Sequence, residues 1–484
     1  MTGILLHLSD LVTVTLLILS LLFSAGLIII FLSSLEDCFI DLLWLSAQLT
    51  GVRQNSLEAG EAEERPLAVL VPAWQEAEVL PQSLAHLLTT ARYQNFRVFV
   101  GVYPNDPATQ TAARQVAQQD PRVIPIVNPR AGATCKADCL NAMLQGALAW
   151  EKLQQTQFAG FILQDAEDVA HPDALACFNR ALLHHDLVQL PVVPLIRRWT
   201  ACIGGHYMDE FAEMHGKEVP VRALITGIVP GSGVATAYAR HVLLAAQEKG
   251  GGAFNTDTLT EDYDLSYRLA ELAPRQVFLR LSGSRCSAPT RRSDLIATCE
   301  LFPHRLRNAV RQKARWIVGI SFQGWAQLGW RGSLMTRYFY LRDRKIILCG
   351  HASLISCFGL LYSLVQLLPP GSFIPFVLPP LLEKGNPLWQ VAIINIAFLL
   401  YRLLVRHICA GFLYGWQQLP LVVPRYFVGA LVNYLALCRA TRMFLLHKLT
   451  GKPIGWDKTS HDFPAVAGGR QTVISIRPVF EGTA

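Results

Sequence analysis

Charge is scarce in this chain, and so are paired metal-ligand cysteines and basic tracts. Only 16% of the 484 residues are Asp, Glu, Lys or Arg, against 51% apolar ones. The net charge of +7 is spread along the chain, which argues against duplex nucleic acid as a partner and leaves a nucleotide or a lipid surface. Among the 11 cysteines, Cys135 and Cys139 have no second pair after them at metal-site spacing, so they read as reduced packing residues in a cytosolic or intramembrane setting. His184, His185, His206 and His215 supply no H-x-x-x-H pair and are assigned no zinc site. No Lys or Arg precedes the first apolar run and no small-residue cleavage site ends it, so that run is expected to be retained rather than cleaved. No internal repeat or long low-complexity tract breaks the chain.

What is present divides the sequence into blocks. Leu11 to Leu32 carries no ionisable side chain, and at about 1.5 Å per residue it can cross a hydrocarbon core of roughly 30 Å. Residues 1–35 are therefore predicted to be a transmembrane helix. Residues 36–65 read as an acidic linker, with Glu36, Asp37 and Asp41 followed by Glu58, Glu61, Glu63 and Glu64. From Pro66 to about residue 335, short β-rich apolar runs (Leu67 to Val71, Phe96 to Val102, Val123 to Val127, Gly160 to Gln164) alternate with helical material. That alternation predicts an α/β domain with a mostly parallel sheet, and a ligand site beyond the carboxyl ends of its strands.

Residues 336–450 return to membranous composition. Ile346 to Leu368 and Leu388 to Leu404 read as spans. Arg337, Arg342, Arg344 and Lys345 precede the first, and Arg402, Arg406 and His407 close the second. The excess-cation rule puts those ends, and the α/β domain with them, in the cytosol. Leu421 to Leu437 opens on Pro424 and Arg425 and ends at Arg439, which favours an interfacial helix over a third span. Residues 451–484 are expected to be a cytosolic tail.

Three clusters carry chemistry. Gln164-Asp165-Ala166-Glu167-Asp168 follows a strand-like run. Carboxylates two apart there can share Mg²⁺ or Mn²⁺, which would neutralise a departing diphosphate; a solvated acidic loop is the bland alternative. Thr260-Glu261-Asp262 offers Asp262 as a base for an attacking hydroxyl, or else Thr260 caps a helix whose acids favour its positive end. Gln312, Arg315 and Trp316 share one helix face at i, i+3, i+4 spacing. They could hold a diphosphate and stack a ring, or simply mark a membrane interface. Gly231-Ser232-Gly233 has the look of a glycine turn against which an acceptor could lie, though a simple strand-to-helix turn is the commoner cause of such spacing, and Cys135 beside Lys136 reads as packing.

In order, these motifs resemble family-2 glycosyltransferases of the membrane-bound, cellulose-synthase-like kind, whose pattern runs D, D-x-D, T/E-E-D and Q-x-x-R-W. The matching residues are Asp106, Asp165 with Glu167, Thr260-Glu261-Asp262, and Gln312 with Arg315-Trp316. Pro72-Ala73-Trp74-Gln75-Glu76 is similar to the family's P-x-x-N-E turn, with Gln75 in place of Asn, and Glu167 stands where the family has Asp. Leu35 to Asp41, Arg130 to Asn141 and Gly455 to His461 further resemble the bacterial phage adsorption protein B group, whose members work with an outer-membrane partner.

The resemblance implies a GT-A fold, a Rossmann-like mixed sheet with transmembrane helices on both sides. It implies that Glu76 and Asp106 contact the nucleoside, that Lys136 and Asp138 lie near the diphosphate or base, and that Asp165 binds the nucleotide sugar and, with Glu167, the metal. Asp262 becomes the base of an inverting transfer, and Gln312, Arg315 and Trp316 serve the diphosphate and acceptor. The expected protein is a multi-pass bacterial inner-membrane enzyme that passes sugar from a nucleotide diphosphate sugar to a growing glycan or lipid acceptor. A non-processive lipid glycosyltransferase and a non-enzymatic scaffold or phage-entry component are the alternative readings.

Overall fold

A computed structural model describes residues 2–50, 62–132, 134–195, 200–250, 252–272, 275–281, 295–366, 379–452, 454 and 463–464. Glu58, Glu61 and the 455–461 motif lie outside these residues. The elements run α1 (Thr2–Leu49), β1 (Leu67–Pro72), α2 (Leu80–Thr90), β2 (Phe96–Val102), α3 (Pro107–Gln119), β3 (Val123–Val127), α4 (Lys136–Gln154), β4 (Gly160–Leu163), β5 (Val169–Ala170) and α5 (Ala174–Ala181). Next come β6 (Leu187–Gln189), β7 (Val192–Pro194), α6 (Cys202–Glu213), α7 (Val219–Thr226), β8 (Thr236–Ala239), α8 (Arg240–Gly250), α9 (Glu261–Arg268), β9 (Gln276–Phe278) and β10 (Thr298–Glu300). The chain continues through α10 (Leu306–Ile317), α11 (Gly324–Leu328), α12 (Leu334–Arg344), α13 (Ile346–Val365), α14 (Leu388–Tyr414) and α15 (Val422–Thr450).

The continuous apolar runs of the sequence become the buried centre of a sheet ordered β3-β2-β1-β4-β8-β6-β9. Strands β1 to β4 pair in parallel, β8 is antiparallel to both its neighbours, and β6 and β9 are parallel to each other. Every residue of β1 is buried, as a strand covered on both faces requires. Helix α4 closes one face, and its Leu140, Met143 and Leu144 join Val69, Phe99 and Phe161 in the main core. Strands β5, β10 and β7 form a small second sheet in that order. The turns after β1, β2 and β4 therefore open at one rim of the main sheet.

Four helical stretches are long and apolar enough to cross a membrane, by length and composition: Thr13–Leu49, Ile346–Val365, Leu388–Tyr414 and Trp416–Thr450. Two sequence expectations are corrected here. The first helix does not end at residue 35 in an acidic linker; it continues to Leu49. Glu36, Asp37 and Asp41 face cations brought from far along the chain. Arg342 and Lys345 each lie 2.8 Å from Asp37, and Arg342 reaches Glu218 at 3.0 Å. Lys217 is fully buried between Asp41 and Glu213. With its acids neutralised, the helix has no electrostatic reason to stop. Glu63 and Glu64 are tethers as well: the Glu63 carbonyl accepts from Asn179, and the Glu64 carboxylate accepts from the backbone of Gln94 and Asn95.

The second correction concerns α14, which runs past Leu404 to Tyr414. Arg402 and Arg406 lie within it and both pair with Glu213 of α6, at 2.5 and 3.1 Å. Helix α15 satisfies the length and composition of a span. Its buried stripe (Val422, Arg425, Gly429, Val432, Ala436, Ala440) nevertheless lies along the α/β domain. Asn433 donates to Glu210 of α6 at 3.1 Å, and Ala436 and Ala440 pack on Ala314 and Ile317 of α10.

Candidate active site

Three turns at the sheet rim form one wall. The turn after β1 is locked by Asp106 from the turn after β2: its Oδ2 accepts from the Gln75 backbone N–H at 2.5 Å, while its Oδ1 caps α3 through Thr109 N–H at 3.3 Å. Thr109 Oγ1 in turn accepts from the Glu76 N–H at 3.0 Å. Gln75 sits at φ +55°, a left-handed conformation that Asn tolerates better than Gln, and such strain concentrates at ligand-binding turns. Asn105 ties in the third turn through paired hydrogen bonds to Gly132 at 2.6 and 2.7 Å. Trp74 packs edge-on to Tyr103, with ring centroids 5.0 Å apart. Asp138, in the first turn of α4, is held by Arg130 and by Asn128 at 3.1 Å, so it fixes the loop leading into that helix.

Lys136 is the junction of the site. Its ammonium lies 2.6 Å from Asp165 Oδ1, at the end of β4, and donates to the Gly233 carbonyl at 3.0 Å. Gly233 adopts φ +74°, and a Cβ there would stand 3.2 Å from Asp262 Oδ2 and 3.4 Å from Lys136 Nζ. The turn expected to be a plain connection therefore brings backbone against the Asp262 carboxylate, which only glycine permits at this φ and distance. Burial works against the Lys136 charge, but Asp165 and Glu261 outweigh it and hold the ammonium above the ordinary lysine range. Burial also drives the two neighbouring acids upward against the pull of Lys136, Asp262 to about 6 and Glu261 to about 7.

In the Asp165–Asp168 turn, Asp168 is fully buried and its Oδ2 accepts from the Asp165 N–H at 2.7 Å. Burial first, then the charges of Asp165, Glu300 and Glu167, push its carboxyl well above the usual range. Asp168 thus shapes the turn from within, and the partly exposed Asp165 is the acid that faces the cleft. Glu167 is buried beside it. Among the described residues no three His, Cys, Asp or Glu side chains form a closed metal cage.

Thr260 stands at the N-cap position of α9, yet its side chain makes no capping bond. Its hydroxyl is pressed against Gly319, just after α10, and the Leu259 N–H donates to Gln323 at 2.9 Å. The Gln312-to-Trp316 helix is thereby docked onto the turn that carries Asp262. Gln312 is buried, and the Trp316 indole lies edge-on to Tyr207 at 6.1 Å and near Phe302 at 6.4 Å. Residues that motif reading missed are Glu300 and Gln189, whose amide holds Ser232 and Thr236 in the glycine turn. For Gly233 the G-x-G spacing was the signal; for Glu300 and Gln189 the sequence offers none.

Residues 65–319 match the family described as "Glycosyltransferase like family 2". The chain is a family 2 glycosyltransferase. It is 38% identical over 474 residues to Bacteriophage adsorption protein B of Escherichia coli (strain K12), and likewise to Bacteriophage N4 adsorption protein B of Escherichia coli O157:H7. The aligned region is 93% of this chain but 63% of each relative, so the chain spans just under two thirds of their length. Among solved structures, the mannosyltransferase PcManGT from Pyrobaculum calidifontis, in complex with GDP-Man and Mn2+, superposes with a TM-score of 0.51 at 15% identity, over 83% of this chain and 98% of that one. The family 2 chain accordingly has the expected GT-A-like fold, with candidate membrane helices before and after it.

Proposed function

We propose that this transferase moves a sugar from a nucleotide diphosphate sugar to an acceptor hydroxyl by a single inverting displacement. The observation that carries this reading is the convergence on Lys136 of Asp165 from the end of β4, Gly233 from the glycine turn, and Asp262 from the start of α9. The Glu76 and Asp106 turns receive the nucleoside. Lys136, with Asp138 securing its loop, lies along the diphosphate, and Arg315 adds a fixed cation there. Asp262, raised by burial, takes the acceptor proton near neutral pH. Gln312 and Trp316 line the acceptor side.

The donor set fits a hard divalent ion. Asp165 and Glu167 supply carboxylate oxygens at an open strand end, and Mg²⁺ or Mn²⁺ characteristically takes one or two carboxylates plus phosphate oxygens and water. Bound there, the ion would neutralise charge on the leaving diphosphate.

The salt bridges from Arg402, Arg406, Arg342 and Lys345 to α1 and α6 gather these basic residues against the catalytic domain. This supports a cytosolic domain on a bacterial inner membrane. A growing glycan or a lipid is the acceptor, and the name of the E. coli relatives supports a product that bears on phage adsorption; a surface polysaccharide made together with an outer-membrane partner is what the sequence resemblance implies. Membranes containing the protein, incubated with a panel of labelled nucleotide sugars with and without a chelator, test the reading. Metal-dependent incorporation from one donor supports it; free nucleotide and sugar with no acceptor product from any donor would count against it.

A further inference from the structure

A second cleft lies behind α9. At about 100° per residue along a helix, Asp264 points away from Asp262, and it lines a cavity of about 500 Å³ together with Asn255, Arg268, Gln327, Arg331 and Tyr340. This volume is within the range of small-ligand sites, roughly 300–1,000 Å³.

The walls are planar polar groups held in fixed orientations. Arg268 Nε donates to Asp264 Oδ2 at 2.6 Å, and its Nη2 donates to the Ala253 carbonyl at 2.9 Å. Asn255 Nδ2 donates to Gln327 Oε1 at 2.9 Å, and Gln327 Nε2 donates to the Asp257 carbonyl at 3.0 Å. Asp264 is 2% exposed, and its Oδ1 has no hydrogen-bond partner. A buried carboxylate oxygen without a donor is costly, and a ligand hydroxyl would supply one. Tyr340 adds an aromatic wall, packed on Tyr267 with centroids 4.9 Å apart.

We infer that this cavity binds a saccharide. Rigid carboxylate, guanidinium and amide groups suit pairs of neighbouring hydroxyls. Lys249 and Arg331 line the cavity as well as the Arg268–Asp264 pair, so inorganic phosphate is the competing ligand that the test includes. The site adjoins the transfer cleft through one loop: the Thr256 carbonyl accepts from the Cys135 thiol at 3.7 Å, next to Lys136. Sugar units held here are held outside the transfer cleft, on the helix that carries Asp262. The inference does not rest on the transferase mechanism, since it concerns binding alone.

The test is saturation-transfer NMR on the full chain in detergent, with glucose, mannose, galactose and N-acetylglucosamine and their short oligomers. At least one should bind saturably. Asp264→Asn, Gln327→Leu and the surface change Arg331→Ala should each weaken that sugar by about tenfold or more, while Asp165→Asn, which disables the transfer cleft, leaves it unchanged. Absence of binding by every sugar would overturn the inference. So would binding that Asp165→Asn abolishes and Arg331→Ala leaves intact, or binding of inorganic phosphate in place of sugar. Should Asp264→Asn or Gln327→Leu unfold the protein, Arg331→Ala on the exposed loop still decides.

Discussion

Lys136 Nζ lies 2.6 Å from Asp165 Oδ1, and it shares with the Asp262 carboxylate the space that a Cβ on Gly233 would fill. One ammonium thus holds together acids from β4 and α9 that would otherwise repel one another. Lys136→Met should lower transfer by about 10²–10³-fold, the usual cost of removing one preorganised electrostatic group. Lys136→Arg should recover part of it. Initial rates on the preferred donor check both values.

The buried acids give the site a pH dependence. With Asp262 raised to about 6, kcat/KM should fall as pH drops through about 6, where the base becomes protonated. Stability runs the other way. Glu261 is raised to about 7 in the folded state, so the folded protein holds a proton that the unfolded chain has released. Its contribution is full below the ordinary glutamate range and is lost as pH rises through about 7. Glu261→Gln should therefore raise Tm at about pH 8 and change it little at about pH 5, measured by thermal unfolding in detergent.

Asp168 and Asp165 occupy one turn differently. Asp168 is buried, its carboxyl pushed upward by that burial, and it accepts from the Asp165 backbone, so Asp168→Asn, which keeps an acceptor oxygen, should stay within about threefold of the parent in rate and in metal affinity. Asp165→Asn should lose both. Rates and Mn²⁺ titrations on the two variants distinguish the roles, and equal losses would contradict the assignment.

At the junction with the membrane helices, Lys217 is buried between Asp41 and Glu213. Lys217→Ala removes one cation from that cluster but leaves Glu213 with Arg402 and Arg406 and Asp41 with Arg402, so it should cost about 1–3 kcal/mol, read as a lowered denaturation midpoint in detergent without a change in nucleotide affinity.

Much of the architecture was legible where one local signal sufficed. Strands β2 and β3 occupy the apolar runs read from the sequence, and β1 and β4 differ from theirs by a single residue. The two helix overruns had a common cause. Glu36 and Arg402 look like the ends of apolar stretches, but Lys345 and Glu213 neutralise them from hundreds of residues away or from another domain, and no local pattern reports such a partner. Thr260 failed as a capping side chain for the same reason, because Gly319 claims its face. At the site, the carboxylates at strand ends stood out as motifs. Glu300 did not, since the small second sheet brings it in, and the G-x-G spacing marked Gly233 as a turn without showing that it lies against Asp262.

The most direct measurement is single-turnover transfer by Asp262→Asn on the donor that the parent uses, alongside nucleotide affinity. The expected result is donor binding within about threefold of the parent and transfer reduced by about 10³-fold or more, as for loss of a general base. Transfer at the parent rate by a folded, nucleotide-binding Asp262→Asn protein would contradict the account.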